Sequence, residues 1–212
     1  MEIRITPKEY IEYIELVAKK IESSKDYVTE LDSITGDGDH WANINMGFQK
    51  LLENREQLAS MRLNEMFQKV GMLIMSTVGG SSGVLYGSAY IKAAKTIGDK
   101  TELDIGTLCD VLESELNAIM ERGNAQPGFK TMIDTLHPAV CRFKAAIEKG
   151  FDTRAALEEL KQGAVDGMNS TRDMEAVRGR ACYQANKGVG HLDPGAVTMC
   201  YQIEVLVDYL LK

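Results

Sequence analysis

The chain has 212 residues, enough for one well-buried core, and nothing in that length calls for a second domain. Its 24 basic and 31 acidic residues leave a formal net charge of -7, and no cluster of Lys and Arg breaks the pattern, which excludes a nucleic-acid surface. The first residues, Met-Glu-Ile-Arg-Ile-Thr-Pro, lack an apolar core, and no uncharged run approaches the roughly 20 residues of a membrane span, so a soluble cytoplasmic protein with one domain over 1–212 is expected.

Thr6-Pro7-Lys8-Glu9 has the pattern of a capping box, with Pro7 suited to the first helical position. Ile11, Ile14, Val17, Ala18 and Ile21 then recur at three and four, which predicts an amphipathic helix. A short second helix, about Lys25 to Ser33, carries Asp32 to the edge of a glycine-punctuated acidic turn. In that turn Asp32, Asp37 and Asp39 stand at spacings of five and two, so a loop that folds back aims three carboxylates at one point. Converging carboxylates repel unless cations sit among them. A calcium loop starting at Asp37 fails, because its fifth, sixth and twelfth positions are Trp41, Ala42 and Phe48. The competing reading is a turn whose side chains cap the next helix. His40 fits three roles, as hydrogen-bond donor to a phosphate, general base or phosphorylation site, and the residues alone do not rank them.

Ile44, Phe48, Leu51 and Leu52 keep helical period through Glu53, and Leu63, Met66, Phe67, Val70, Leu73 and Ile74 do so in the next segment. Ser76 to Gly87 then supplies four glycines and four Ser or Thr hydroxyls ahead of a helical pattern, a composition that suits either phosphate-binding backbone amides or close helix packing. No Gly-Lys-Ser/Thr occurs, so a polyphosphate held here would rely on metal ions at the three aspartates for neutralisation. Further helices are expected at about 84 to 97, 104 to 122, 131 to 149, 153 to 176 and 194 to 211. Asp104 and Asp193 read as N-caps, Pro194 as a first helical residue, and Gly123 and Gly150 as stops. Pro138 implies a kink or a helix start near it. Period-two strand patterns are absent, and the result is an all-α protein of eight or nine helices. Cys109, Cys141, Cys182 and Cys200 show no C-x-x-C spacing and read as reduced, mostly core thiols. His137 reads as a buried core residue, His191 as a turn residue, and Arg180 as a phosphate fork or a surface ion pair on a long final loop.

Five stretches together carry a resemblance: Leu31-Asp-x-x-x-Gly-Asp-Gly-Asp-His40 with Asn43, Val78-Gly-Gly-Ser-Ser-Gly83, Gly123-x-Ala-x-Pro-Gly128 with Lys130-Thr-Met132, Gly179-Arg-Ala181, and Gly190-His-x-Asp-Pro-Gly-Ala196. In this order they resemble the nucleotide-binding L subunits (DhaL) of bacterial dihydroxyacetone kinases. The resemblance implies an antiparallel eight-helix barrel with ADP or ATP held at one end through two Mg²⁺ ions. Carried over by position, Asp32, Asp37 and Asp39 are the metal ligands. His40, Trp41, Ala42, Asn43, Ser81, Ser82, Gly123, Met132, Arg180, Leu192, Asp193 and Pro194 line the nucleotide, and no residue becomes a covalent catalytic intermediate.

The implied activity is that of a phosphotransferase subunit in phosphotransferase-system-dependent dihydroxyacetone kinase. It passes the γ-phosphoryl group to dihydroxyacetone bound covalently on a K-type subunit, and a phosphohistidine of an M-type subunit recharges ADP in place. The alternative is a non-catalytic nucleotide-binding paralogue that acts through a protein partner such as a transcriptional regulator. Two positions depart from the family pattern: Trp41 stands where Gly is common, and Phe129 where Asp is common.

Overall fold

The computed structural model describes residues 2–212. Among them are ten α-helices and no strand: α1 Pro7–Ser23, α2 Lys25–Thr35, α3 His40–Glu53, α4 Arg55–Ala59, α5 Leu63–Thr77, α6 Gly80–Ile97, α7 Ile105–Gly123, α8 Met132–Glu148, α9 Thr153–Ser170 and α10 Pro194–Leu210. One isolated antiparallel bridge joins Ile5 and Leu103. No described helix is long and apolar enough to cross a membrane.

The chain divides into two compact units, Met1–Lys19 with Asn43–Asn124, and Lys20–Ala42 with Ala125–Lys212. In the first unit, the Tyr10 hydroxyl donates to that of Tyr90 at 3.0 Å, and the Tyr10 and Phe67 rings lie 4.5 Å apart. Burial and the nearby Glu115 carboxylate push the Tyr10, Tyr13 and Tyr90 hydroxyls above their ordinary pKa. Burial likewise raises Glu115 to about 8. In the second unit α8 and α9 approach closely. A methyl group on Gly163 would lie 2.7 Å from the Pro138 carbonyl oxygen, and one on Gly167 would lie 2.2 Å from that of Asp134. Pro138 has no N–H to give the Asp134 carbonyl, so the helix runs through the proline and presents that oxygen to Gly167.

Local chemistry sets most helix ends. The Thr6 amide donates to Glu9 Oε2 at 3.0 Å, Asp104 accepts from Thr107 N at 2.7 Å, and Asp193 accepts from Ala196 N at 2.7 Å. Four expectations are corrected. The helix expected at 84 to 97 starts at Gly80, because Gly83 packs against Val78, whose carbonyl oxygen would lie 2.1 Å from an added methyl. The helix expected to reach 176 ends at Ser170 and passes into a 3₁₀ turn, where the Ser170 and Thr171 hydroxyls bond back to Gly167 and Met168 carbonyls. Gly123 is the last helical residue of α7 rather than its stop, which is Asn124 at φ 44°. The five-residue α4 was not expected, and its buried Leu58 explains its presence. Of the thiols, Cys109 and Cys200 are core residues, but Cys141 is exposed and Cys182 half-buried. His137 is half-buried, with its ring 3.7 Å from Cys141 Sγ.

Candidate metal and nucleotide site

The acidic turn lies in the second unit, between α2 and the first residues of α3. α2 delivers Asp32, which is buried, while Asp37 and Asp39 are exposed. One carboxylate oxygen from each lies within 4.8 Å of the others. Gly36 makes the fold-back possible, since a methyl group there would meet Asp32 Oδ1 at 2.3 Å. Gly38 takes φ 77°, a region that favours glycine. The two readings of this turn are both present in Asp32: it joins the carboxylate cluster, and its Oδ2 accepts from the His40 amide at 2.9 Å, capping α3. An all-oxygen, acidic donor set of this kind suits a hard divalent cation such as Mg²⁺.

Around the turn, Arg180 Nη2 lies 2.6 Å from Asp37 Oδ2, so the guanidinium is an ion-pair partner of the cluster. His40 Nε2 lies 2.9 Å from Thr198 Oγ1, and that hydroxyl donates to the Gly195 carbonyl. The imidazole therefore donates through Nε2 and keeps Nδ1 as its acceptor. Burial lowers the His40 pKa, against the pull of Asp32 and Asp39. Trp41 turns its indole N–H to the Ile21 carbonyl at 2.9 Å and packs against the Val28, Leu31, Leu192 and Val197 cluster, with the Lys25 ammonium 5.0 Å from its ring. Ala42 is exposed.

On the far side of the second unit's sequence, Met132 opens α8 behind a Thr131–Asp134 capping box. Leu192, buried, and Asp193 lead into α10, whose first residue is Pro194. Burial raises Asp193 to about 7, opposed by the Ala196 amide and by Lys130. Lys130 was legible only as part of a motif, yet it is 1% exposed, and its ammonium donates to the carbonyl of Thr171 and, at 2.6 Å, to that of His191. Burial lowers its pKa, while Asp193, Asp173 and Asp134 act the other way. Thr198, the partner of His40, was not singled out by sequence either; a threonine in an apolar helix gives no signal of its own.

In the first unit, Asn43 Oδ1 stands where a side chain on Gly79 would have to go, 2.7 Å from the added carbon. The Gly-Ser stretch forms the first turn of α6, with Ser81 exposed and Ser82 half-buried. Gly123 ends α7.

Residues 34–208 match the DAK2 domain family, a span that contains Asp37, Asp39 and every nucleotide-site candidate and begins two residues after Asp32. The chain belongs to that family. It is 33% identical to the "PEP-dependent dihydroxyacetone kinase, ADP-binding subunit DhaL" of Escherichia coli K12, over 87% of this chain and 88% of that one. It is 34% identical to the second such DhaL subunit of Listeria innocua, over 91% and 89%. The dihydroxyacetone kinase of C. freundii in complex with AMP-PNP and Mg²⁺ has the same fold, with a TM-score of 0.71 at 24% identity over 93% of this chain. This chain covers 33% of that larger kinase.

Proposed function

We propose that this protein is the ADP-binding subunit of a phosphotransferase-system-dependent dihydroxyacetone kinase, cytoplasmic, with residues 1–212 acting as one nucleotide-binding domain. It transfers the γ-phosphoryl group of ATP to dihydroxyacetone held covalently by a K-type subunit, and a phosphohistidine M-type subunit restores ATP in place. The observation that carries the reading is the convergence of Asp32, Asp37 and Asp39 on one point of a glycine-shaped turn, in a chain about a third identical to ADP-binding subunits over most of both lengths.

Asp32, Asp37 and Asp39 would hold two Mg²⁺ ions, which when bound neutralise phosphate charge. Arg180, already paired with Asp37, is placed to exchange that carboxylate for a phosphate oxygen. His40, neutral and fixed by Thr198, offers one nitrogen acceptor beside the cluster. Met132 and the Leu192-Asp193-Pro194 turn are assigned to the nucleotide with them. Trp41, Ala42, Asn43, Ser81, Ser82 and Gly123 belong to the same assignment on the strength of their motifs. No side chain need act as a covalent intermediate, because phosphoryl transfer depends chiefly on positioning and charge neutralisation.

The test is calorimetric titration of ADP with and without Mg²⁺, followed by phosphoryl transfer from a phosphorylated M-type subunit to the bound ADP. Mg²⁺-dependent binding, its loss in Asp37→Ala, and transfer are expected. Binding without transfer would leave a regulatory nucleotide-binding protein; absence of Mg²⁺-dependent ADP binding would sink the proposal.

A further inference from the structure

Lys130 combines two unfavourable features. Its backbone takes φ 60°, in the left-handed region that crowds a residue with a β-carbon. Its side chain is among the largest that are fully buried, although an ammonium removed from water loses its hydration. Neither would persist without strong local compensation, and the compensation is specific. Nζ donates to the carbonyls of Thr171 and His191, two residues on different parts of the connection between α9 and α10. The carboxylates of Asp193, Asp173 and Asp134 favour its charged form from nearby, against the burial that disfavours it.

The same place joins three segments by other bonds. Val177 N donates to the Phe129 carbonyl at 3.1 Å, Gly190 N to that of Arg172 at 2.8 Å, and Asp193 N to Thr171 Oγ1 at 3.1 Å. Gly128 N and Thr131 N both donate to the Asp134 carboxylate, at 2.5 and 2.8 Å. Met132, Arg180, Leu192, Asp193 and Pro194 all lie on, or directly beside, segments gathered by this knot. A lysine at its centre does what an apolar side chain of equal length cannot, because its N–H groups reach two backbone carbonyls at once: that of His191, and that of Thr171, which also accepts from Met174 N at 3.3 Å.

We propose that Lys130 is a positioning residue for nucleotide binding: its ammonium, enclosed by the Thr171 and His191 carbonyls, holds the 171–193 segment against the start of α8 so that Arg180 and the Leu192-Asp193-Pro194 turn are presented together. The proposal rests on the function assigned above. It distinguishes Lys130 from the lysine of a phosphate-binding loop, since here the charge is spent inside the protein and never meets the ligand.

The experiment compares wild-type protein with Lys130→Met and Lys130→Gln. ADP affinity is measured with Mg²⁺ present, Mn²⁺ affinity is measured without nucleotide, and amide hydrogen exchange is followed along the chain. Both variants are expected to bind ADP about tenfold or more weakly, as the competent loop arrangement becomes a minor population. Mn²⁺ affinity should not fall, since a loosened Arg180 no longer competes for Asp37, and the amides of Val177, Gly190 and Asp193 should lose protection while those of α5 to α7 keep it. Wild-type ADP affinity in Lys130→Met overturns the proposal. So does a parallel fall of ADP and Mn²⁺ affinity, which marks a merely structural role. Should Lys130→Met not fold, Lys130→Gln, which loses the ammonium but stays polar, decides in the same terms. Failure of the wild-type protein to bind ADP is a separate result, which overturns the assigned function and this role with it.

Discussion

Asp39→Asn replaces one charged oxygen with an amide and should reverse sign with the metal. In the metal-free protein Asp39 faces Asp32 and Asp37 at no more than 4.8 Å between the nearest potential ligand atoms. Two like charges at that distance repel by roughly 1 kcal/mol in water and about 3 kcal/mol at an effective dielectric of about 20. Asp39 is exposed, so the lower figure applies to each of its two neighbours, and Arg180 already offsets part of the Asp37 term. The carboxylate's favourable interaction with the first turn of α3, about 0.3–1 kcal/mol, is lost with the charge. Asparagine caps helices as well as aspartate does, so no further penalty follows.

The balance is a gain of about 1 kcal/mol without metal, or about 2–4 °C in Tm for a chain of this size. With Mg²⁺ at a hundred times its Kd, wild-type protein should gain about 2.7 kcal/mol, and the variant, missing one ligand, much less. Differential scanning calorimetry should therefore place the variant above wild type in chelator and below it in Mg²⁺. A variant that is less stable in chelator, or that keeps the full Mg²⁺ increment, would refute the claim that these three side chains share a cation.

Two further outcomes follow from the packing. Glu115, raised by burial from 4.5 to about 8, binds its proton in the folded state where the unfolded chain has released it. Its contribution to stability is thus complete below pH 4.5 and is lost as pH rises through about 8. Glu115→Gln should flatten that slope and stabilise the protein at pH 8 by roughly 3 kcal/mol, less than the ~5 kcal/mol of a fully realised shift. Urea denaturation across that pH range checks it, and equal slopes in the two proteins would contradict it. Trp41→Ala should cost about 2–4 kcal/mol, because the indole fills the contact with Val28, Leu31, Leu192 and Val197 and adds a bond to the Ile21 carbonyl, which otherwise accepts from Ser24 N alone. As Trp41 is the one tryptophan in the chain, tryptophan emission excited selectively over the tyrosines reports on it alone. Its emission should shift on denaturation, and an undiminished stability in Trp41→Ala would count against the packing role.

The all-α class, most helix boundaries and the acidic turn could be read directly from residues, because each depends on neighbours close in sequence. Thr6 with Glu9, Asp104 with Thr107, and Asp193 with Ala196 are contacts three residues apart. Asp32, Asp37 and Asp39 fall within eight residues, so their convergence needs only the backbone freedom of Gly36 and Gly38. Helix extents failed where distant packing overrode local preference, as at Gly80, or where hydroxyls competed for carbonyls, as at Ser170 and Thr171. The destinations of Trp41, His40, Arg180 and Lys130 belong to tertiary structure alone. Trp41 reaches the Ile21 carbonyl, His40 reaches Thr198, Arg180 reaches Asp37, and Lys130 is enclosed by Thr171 and His191. Partners 20 to 158 residues away in the chain carry no periodicity that a sequence can display. Sequence by itself determined which side chains would gather at the turn; the fold decided which charges they meet there and which lysine is buried against backbone carbonyls.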